Sequence, residues 1–328
     1  MKIDFFLRFH TKFGQQLALT GSIPELGGGD PGQALALAYY NEECWHLSVD
    51  IDPEQHPEFR YRYLFTDTDG STARDGETER VLQLDKAGTQ LTVIDTWNYS
   101  GAFENAFLTA PFQEVFNNGT KEGKAKKRPG ATHTFKVKAP LLPAGQCICL
   151  LGAASGLGSW NTEQPLRLSR SGSWWVGAAD LSGASFPLTY KYGIWDDKKN
   201  TFLQFEAGED RRLFNVQPGT GPTIVHDGFV RLPGLTWKGA GVAIPVFSLK
   251  SANSFGVGEF SDIKLLVDWA ASTGLKLIQL LPVNDTSASF TWTDSYPYAA
   301  ISTFALHPLY INLTKVAGKK GASMVKAL

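Results

Sequence analysis

The chain has almost no net charge: 31 Lys and Arg stand against 32 Asp and Glu over 328 residues. That balance gives no reason to expect a polyanionic partner, and nucleic acid is set aside on that ground. Cysteine is nearly absent. Cys44, Cys147 and Cys149 make an odd count without metal-like spacing, which argues against a disulfide scaffold and offers no metal site. Cys147 and Cys149 stand two apart in a strand-like run, so they share a face and read as small core residues. No apolar run reaches transmembrane length, so no membrane partner is expected. The first nine residues alternate like a strand and lack the unbroken apolar stretch of a signal peptide. A soluble cytoplasmic protein is the expectation, and sequons such as Asn118-Gly-Thr120 then carry no meaning. No cofactor is implied, and composition leaves the oligomeric state open.

Aromatic residues, by contrast, are plentiful: nine Trp, ten Tyr and 21 Phe. Most belong to a core, but Trp and Tyr are also the side chains that stack on sugar rings. They recur in a pattern. Residues 1–116 and 132–228 read as a degenerate repeat. Each opens on a β-rich run, Lys2 to His10 and His133 to Lys138. Each continues with a strand ending in Gly, Gln16 to Gly21 and Cys147 to Gly152. A Leu-Gly turn follows, Leu26-Gly27 and Leu157-Gly158. Next come a Trp-bearing strand (Cys44-Trp45 and Trp174-Trp175) and a Tyr-basic-Tyr strand (Tyr61-Arg62-Tyr63 and Tyr190-Lys191-Tyr192). Both close on a short apolar strand, Gln90 to Asp95 and Thr223 to Asp227. About seven short strands at this spacing predict an antiparallel, immunoglobulin-like β-sandwich in each copy. Adjacent strand residues face opposite ways, so one of Trp174 and Trp175 should be buried.

Residues 117–131 between the copies are polar and basic, without an apolar face, and read as a solvated linker. No aromatic interleaves the basic run, so a nucleic-acid patch is disfavoured. A second junction lies near residues 228–238. From residue 229 to 328 the period changes. Val242 to Leu249 reads as a strand. A helix follows Phe260, with Ser261 as its N-cap, Asp262 in its first turn, Ile263, Leu266, Val267 and Ala270 on one face, and Gly274 as stop signal. Leu275 to Val283 is an almost continuous apolar run, suited to a strand of a parallel sheet covered on both sides. Strand, helix, strand makes a βαβ unit, the opening of a TIM (β/α)8 barrel with room for two or three such units. Phe255-Gly-Val-Gly258 lacks the third Gly of a dinucleotide loop, and Glu259 would repel phosphate.

The second repeat resembles a starch-binding domain of carbohydrate-binding module family 20, through Leu157-Gly-Ser-Trp-Asn161, Tyr190-Lys-Tyr192 and Phe205-Glu-Ala-Gly-Glu-Asp-Arg211. The resemblance implies an aromatic platform for the curved face of an α-1,4-glucan. Its members here would be Trp160 and Phe205, with Lys191 beside them. Phe205 stands where the family usually has Trp, which implies weaker binding. The first repeat resembles the same family without that platform: Leu26-Gly-Gly-Gly29 has Gly where the Trp would stand. It keeps Phe13, at a place where the family often has an aromatic of its second sugar site, with Tyr39 and Tyr40 nearby. Repeat one either binds through Phe13 or only packs.

Residues 254–262, 280–285 and 293–311 resemble glycoside hydrolase family 77, the 4-α-glucanotransferases. The long motif Thr293-Asp-Ser-Tyr-Pro-Tyr-Ala-Ala-Ile-Ser-Thr-Phe-Ala-Leu-His-Pro-Leu-Tyr-Ile311 is the specific one. The resemblance implies that Tyr298 lines the donor sugar subsite. Asp285 and Asp294 either touch sugar hydroxyls or cap their loop, and the cap is the better reading. A retaining transfer needs two carboxyl groups roughly 5 Å apart. The family's catalytic carboxylates belong to later barrel strands, expected beyond Leu328, so none is assigned here and this chain alone is expected to be inactive. The implied partners are malto-oligosaccharides, starch and glycogen. A non-catalytic glucan-binding protein is the alternative.

Overall fold

The computed structural model describes residues 1–76, 79–116, 128–214, 221–232, 234 and 237–327; most of the expected linker lies outside them. Two compact units form, Met1–Leu235 and Thr236–Leu328.

The first unit holds both sandwiches. Sandwich 1 comprises β1 (Lys2–Arg8), β2 (Gln16–Gly21), β3 (Leu35–Ala36), β4 (Ala38–Tyr39), β5 (Cys44–Asp50), β6 (Glu58–Thr66), β7 (Thr72–Arg74), β8 (Arg80–Gln83) and β9 (Gln90–Thr96). Sandwich 2 comprises β10 (His133–Lys138), β11 (Gln146–Gly152), β12 (Leu166–Arg167), β13 (Ser169–Ser171), β14 (Trp174–Ala179), β15 (Leu188–Asp196), β16 (Thr201–Phe205), β17 (Arg211–Leu213) and β18 (Thr223–Phe229). The period-2 alternation of β1 and β10 places one face on each core. Ile3, Phe5 and Leu7 meet Leu17, Leu19, Tyr61 and Val93; Phe135 and Val137 meet Ile148, Leu150, Tyr190 and Val225.

The copies are not beads on a string. Their closing strands, β9 and β18, pair in parallel, with Thr92 opposite Thr223 and Asp95 opposite His226. Among the described residues this makes one eight-stranded sheet, ordered β13-β14-β10-β18-β9-β1-β5-β4. Pairing removes two exposed edges at once. Packing is reciprocal. Phe6 and Ile94 of sandwich 1 are buried in the core of sandwich 2, and Ile224 of sandwich 2 packs on the core of sandwich 1.

A buried polar network spans this seam. Asp95 accepts Tyr61 Oη (2.9 Å), Tyr63 Oη (2.8 Å) and, from the other sandwich, His226 Nδ1 (2.6 Å). Asp227 accepts Tyr192 Oη (2.7 Å), Tyr190 Oη (3.0 Å) and, from the other sandwich, Arg8 (2.5 Å). Burial opposes charge on both carboxyls. For Asp95, Arg80 and the donors outweigh it; for Asp227, Arg8 and Arg211 do, so both pKa values lie below the ordinary range. Burial lowers the pKa of His226, which is then neutral at pH 7 and donates to Asp95.

In the second unit, β19 (Gly241–Ile244) and β20 (Leu277–Leu280) pair in parallel, with helix α1 (Ile263–Ser272) between them in sequence. Several expectations need correction. Ser261 is not the cap: Glu259 and Asp262 form a reciprocal capping box around the turn Phe260–Asp262. The first strand ends at Ile244 because Pro245 leads into a 3₁₀ turn, Val246–Ser248. Leu266 and Ala270 are buried, but Val267 is 48% exposed. β20 is short and half exposed, with Leu277 at 45%. It pairs with β19 alone among the described residues, and the face carrying Leu277 and Gln279 is exposed, so that face is not covered.

Candidate functional site

Both sandwiches fold the Leu-Gly turn identically. Leu26 and Leu157 are fully buried anchors with φ of −115° and −108°. The next three residues are left-handed in each copy. Gly27, Gly28 and Gly29 have φ of 78°, 60° and 84°; Gly158, Ser159 and Trp160 have 77°, 46° and 63°. Glycine takes this conformation without strain, whereas a residue with a Cβ costs roughly 1–2 kcal/mol. Sandwich 2 therefore holds two strained residues where its sister holds none. Backbone bonds fix the geometry: Ser159 N donates to Ala154 O (3.1 Å) and Asn161 N to Gly158 O (2.8 Å).

The turn presents Trp160, half-buried, to Phe205 at the end of β16. Their ring centroids lie 6.3 Å apart at 68°. Phe202 supports Phe205 from 4.7 Å. Beneath lie Cys147, Cys149, Leu151 and Trp195. Cys147 and Cys149 are buried on one face as expected, but that face supports the rings and is not the sandwich interior. Burial pushes both thiols up to about 12, so they are inert at neutral pH.

Glu206, next to Phe205, is a pin. Its buried carboxylate accepts Arg211 Nε (2.7 Å), the Tyr192 amide (3.2 Å) and the Arg231 amide (3.1 Å). Burial works against its charge, but Arg211 and Arg231 hold its pKa below the ordinary value. Lys191 points to the same edge. Its ammonium donates to Gly208 O (2.6 Å) and sits 3.3 Å from Asp210. Trp160, Phe205 and Lys191 thus come together on one side of sandwich 2, around the loop that Glu206 braces.

Phe13 of sandwich 1 is fully exposed, and Tyr39 and Tyr40 are exposed at 59% and 40%. Trp45 ties Tyr39 to this region: its ring meets Tyr39 edge-on at 5.8 Å and its Nε1 donates to Thr11 (3.2 Å). Trp174 and Trp175 are both half-buried, which corrects the expectation that one is fully enclosed. Trp175 packs on the core, and Trp174 turns to the seam.

In the second unit Tyr298 is 59% exposed, its ring 5.6 Å from that of Tyr296. Asp285 and Asp294 act as loop caps. Asp285 accepts the Ser287 amide (2.9 Å), and Asp294 the amides of Ser289 (2.9 Å) and Phe290 (2.6 Å). Asp262, expected only as a first-turn acid, also accepts Ser251 Oγ (2.6 Å) and Ser254 Oγ (2.7 Å) and so ties the glycine-rich loop to the helix start, a role the sequence did not signal. Gly258 is required there, since a Cβ would lie 2.0 Å from Val246 O. Among the described residues no group of His, Cys, Asp and Glu could hold a metal ion. No helix of the described residues is long and apolar enough to cross a membrane.

The starch binding domain family matches residues 1–94 and 131–223, and the 4-alpha-glucanotransferase family of glycoside hydrolases matches residues 244–328. The 4-alpha-glucanotransferase DPE2 of Oryza sativa subsp. japonica is 34% identical over 327 residues, covering 94% of this chain and 34% of the rice protein. A 4-alpha-glucanotransferase of Chlamydia trachomatis serovar D is 40% identical over 80 residues, covering 24% of this chain and 14% of its own. The chain thus spans about a third or less of these relatives. Among solved structures, the family 20 module of the maltotetraose-forming amylase from Pseudomonas saccharophila STB07 matches 30% of this chain and 98% of its own, at 21% identity and a TM-score of 0.25.

Proposed function

Since the chain belongs to the starch-binding domain family through both sandwiches, we propose that sandwich 2 binds α-1,4-glucans on the rings of Trp160 and Phe205. One observation carries the reading: Trp160 keeps a strained left-handed conformation at φ 63° where the sister turn relaxes to glycine. Strain retained at an exposed turn points to a function that needs the side chain there. A sugar presents an apolar C–H face and a polar rim. Two rings meeting at 68° suit the curved face of a helical glucan, and Lys191 offers a donor at the rim. Phe205 gives a smaller face than Trp and lacks the indole N–H, so the affinity is moderate.

The wider reading follows the domain order. Residues 1–116 and 132–228 are glucan-binding modules joined by a linker, and 229–328 opens a TIM barrel. Phe13, with Tyr39 and Tyr40, is a second and weaker sugar contact. Tyr298 lines the donor subsite on a loop shaped by Asp285 and Asp294. The whole protein is a cytoplasmic 4-α-glucanotransferase that moves α-1,4-glucan segments between malto-oligosaccharides or glycogen with retention. The match over residues 244–328 favours this over a purely glucan-binding protein. No residue of this chain is assigned as a catalytic carboxylate. Calorimetric titration with maltoheptaose tests the core of the proposal. Saturable binding that weakens about thirtyfold in Trp160→Ala supports it; unchanged affinity in that variant refutes it.

A further inference from the structure

Beside the seam lies a cleft of about 730 Å³. Its floor is the outward face of sandwich 2, with Lys136 and Lys138 of β10, Trp174 of β14 and His226 of β18. Its wall is β8 of sandwich 1, Arg80 to Gln83. The pairings show how the copies correspond. Leu7 lies opposite Trp45 and Val137 opposite Trp175, so Phe6 corresponds to Lys136 and Arg8 to Lys138. In sandwich 1 that face is plugged: Phe6 is 3% exposed, its ring stacked on His46 at 4.5 Å. In sandwich 2 the half-buried Lys136 replaces that plug, and the half-buried Lys138 stands where Arg8 does.

Neither lysine forms a close ion pair with a carboxylate of the described residues; Asp95 attracts Lys136 only at longer range. The carboxylates around the cleft are engaged elsewhere: Asp75 with Arg80, Asp95 with Arg80 and His226, Glu79 with Arg62 at 3.5 Å. Lys138 Nζ instead lies over the Trp174 ring at 4.7 Å and the Phe229 ring at 5.7 Å. A ring face holds an ammonium weakly compared with an anion. Burial lowers Lys138 to about 8, the response of a cation set in a desolvated place without a counter-ion.

We propose that this cleft binds a phosphate ester of a hexose, the phosphate between Lys136 and Lys138 and the sugar ring on Trp174. The lysines stand two residues apart on one face, roughly 7 Å between Cα atoms, within reach of one phosphate. As the phosphate draws Lys138 away, the indole face becomes free for the apolar side of the sugar. The ligand is either a free hexose phosphate or a phosphate ester carried on a glucan chain. The site is separate from Trp160 and does not depend on it.

The test uses the full chain and calorimetry with four probes: glucose 6-phosphate, glucose, inorganic phosphate, and maltodextrin carrying 6-phosphate esters. Glucose 6-phosphate should bind at least about tenfold more tightly than glucose or phosphate, and Lys136→Met and Lys138→Met should each weaken it about tenfold. Maltoheptaose affinity serves as the fold control. Lysine-dependent binding of the phosphorylated maltodextrin, without binding of glucose 6-phosphate, assigns the polymer-borne ester. Inorganic phosphate binding as tightly as glucose 6-phosphate overturns the sugar assignment. No saturable binding, or binding indifferent to both lysines, overturns the site.

Discussion

In sandwich 1 the left-handed turn ends on Gly29 and the edge strand carries Arg74; in sandwich 2 the same places hold Trp160 and Phe205. The framework beneath is shared. Asp75 N donates to Tyr63 O at 3.0 Å, as Glu206 N donates to Tyr192 O at 2.8 Å. Arg80 pairs with Asp75 as Arg211 pairs with Glu206. A turn, a buried acid and an arginine therefore suffice to fold the edge, and the rings are additions that the fold does not need. The comparison separates residues that build the module from residues that give it work.

The largest effect is expected where the copies depend on each other. Asp227→Asn leaves Arg8 and Arg211 facing a neutral amide and should cost about 3 kcal/mol, read in urea unfolding. A cost near zero would mean the two sandwiches do not stabilise one another through the seam. Next comes an exchange between copies. Trp160→Gly should weaken maltoheptaose binding at sandwich 2 at least about thirtyfold, while stability holds or rises by about 1 kcal/mol because the strain is released. The reverse graft, Gly29→Trp with Arg74→Phe, should raise the calorimetric count of tight sites, beyond the weaker contact at Phe13, from one towards two. Failure of a stable graft to bind would show that the rings alone do not make the shelf.

Acid should act on the seam in two stages. Burial depresses the folded pKa of His226, so the unfolded chain takes up its proton first, near the free value of about 6.5. Stability therefore falls as pH drops from about 6.5 towards the folded value. Asp95, Asp227 and Glu206 are also depressed, and their contribution is lost below about pH 4. A melting temperature flat between pH 7.5 and 4 would contradict the neutral, buried His226. The smallest effect belongs to Ser159→Gly. It should raise stability by no more than about 1 kcal/mol and leave glucan affinity unchanged.

Much of this was legible before the fold was seen. The repeat and the Leu-Gly turn follow from spacing; the grouping of Trp160, Phe205 and Lys191 was implied only by likeness to a known module. The shared sheet was not legible. β9 and β18 join through backbone bonds between strand edges, and no side-chain pattern announces such pairing. The seam acids were hidden at the ends of short apolar strands, Ile94-Asp95 and His226-Asp227, where the strand pattern assigned them no role. A faint signal existed: each copy pairs such an acid with a Tyr-basic-Tyr strand, and buried tyrosine hydroxyls need acceptors. The misplaced cap at Ser261 has a similar cause. Glu259 is a poorer cap by type than serine, but the tight approach at Gly258 brings its carboxylate to the turn.

The central claim is that glucan contacts the second sandwich at Trp160. Indole N–H resonances of chain labelled with ¹⁵N-tryptophan, followed through a maltoheptaose titration, test it most directly. The account predicts that the Trp160 resonance shifts first and saturably, while Trp97, buried in sandwich 1, stays in place. Maltoheptaose binding with the Trp160 resonance unmoved would contradict it.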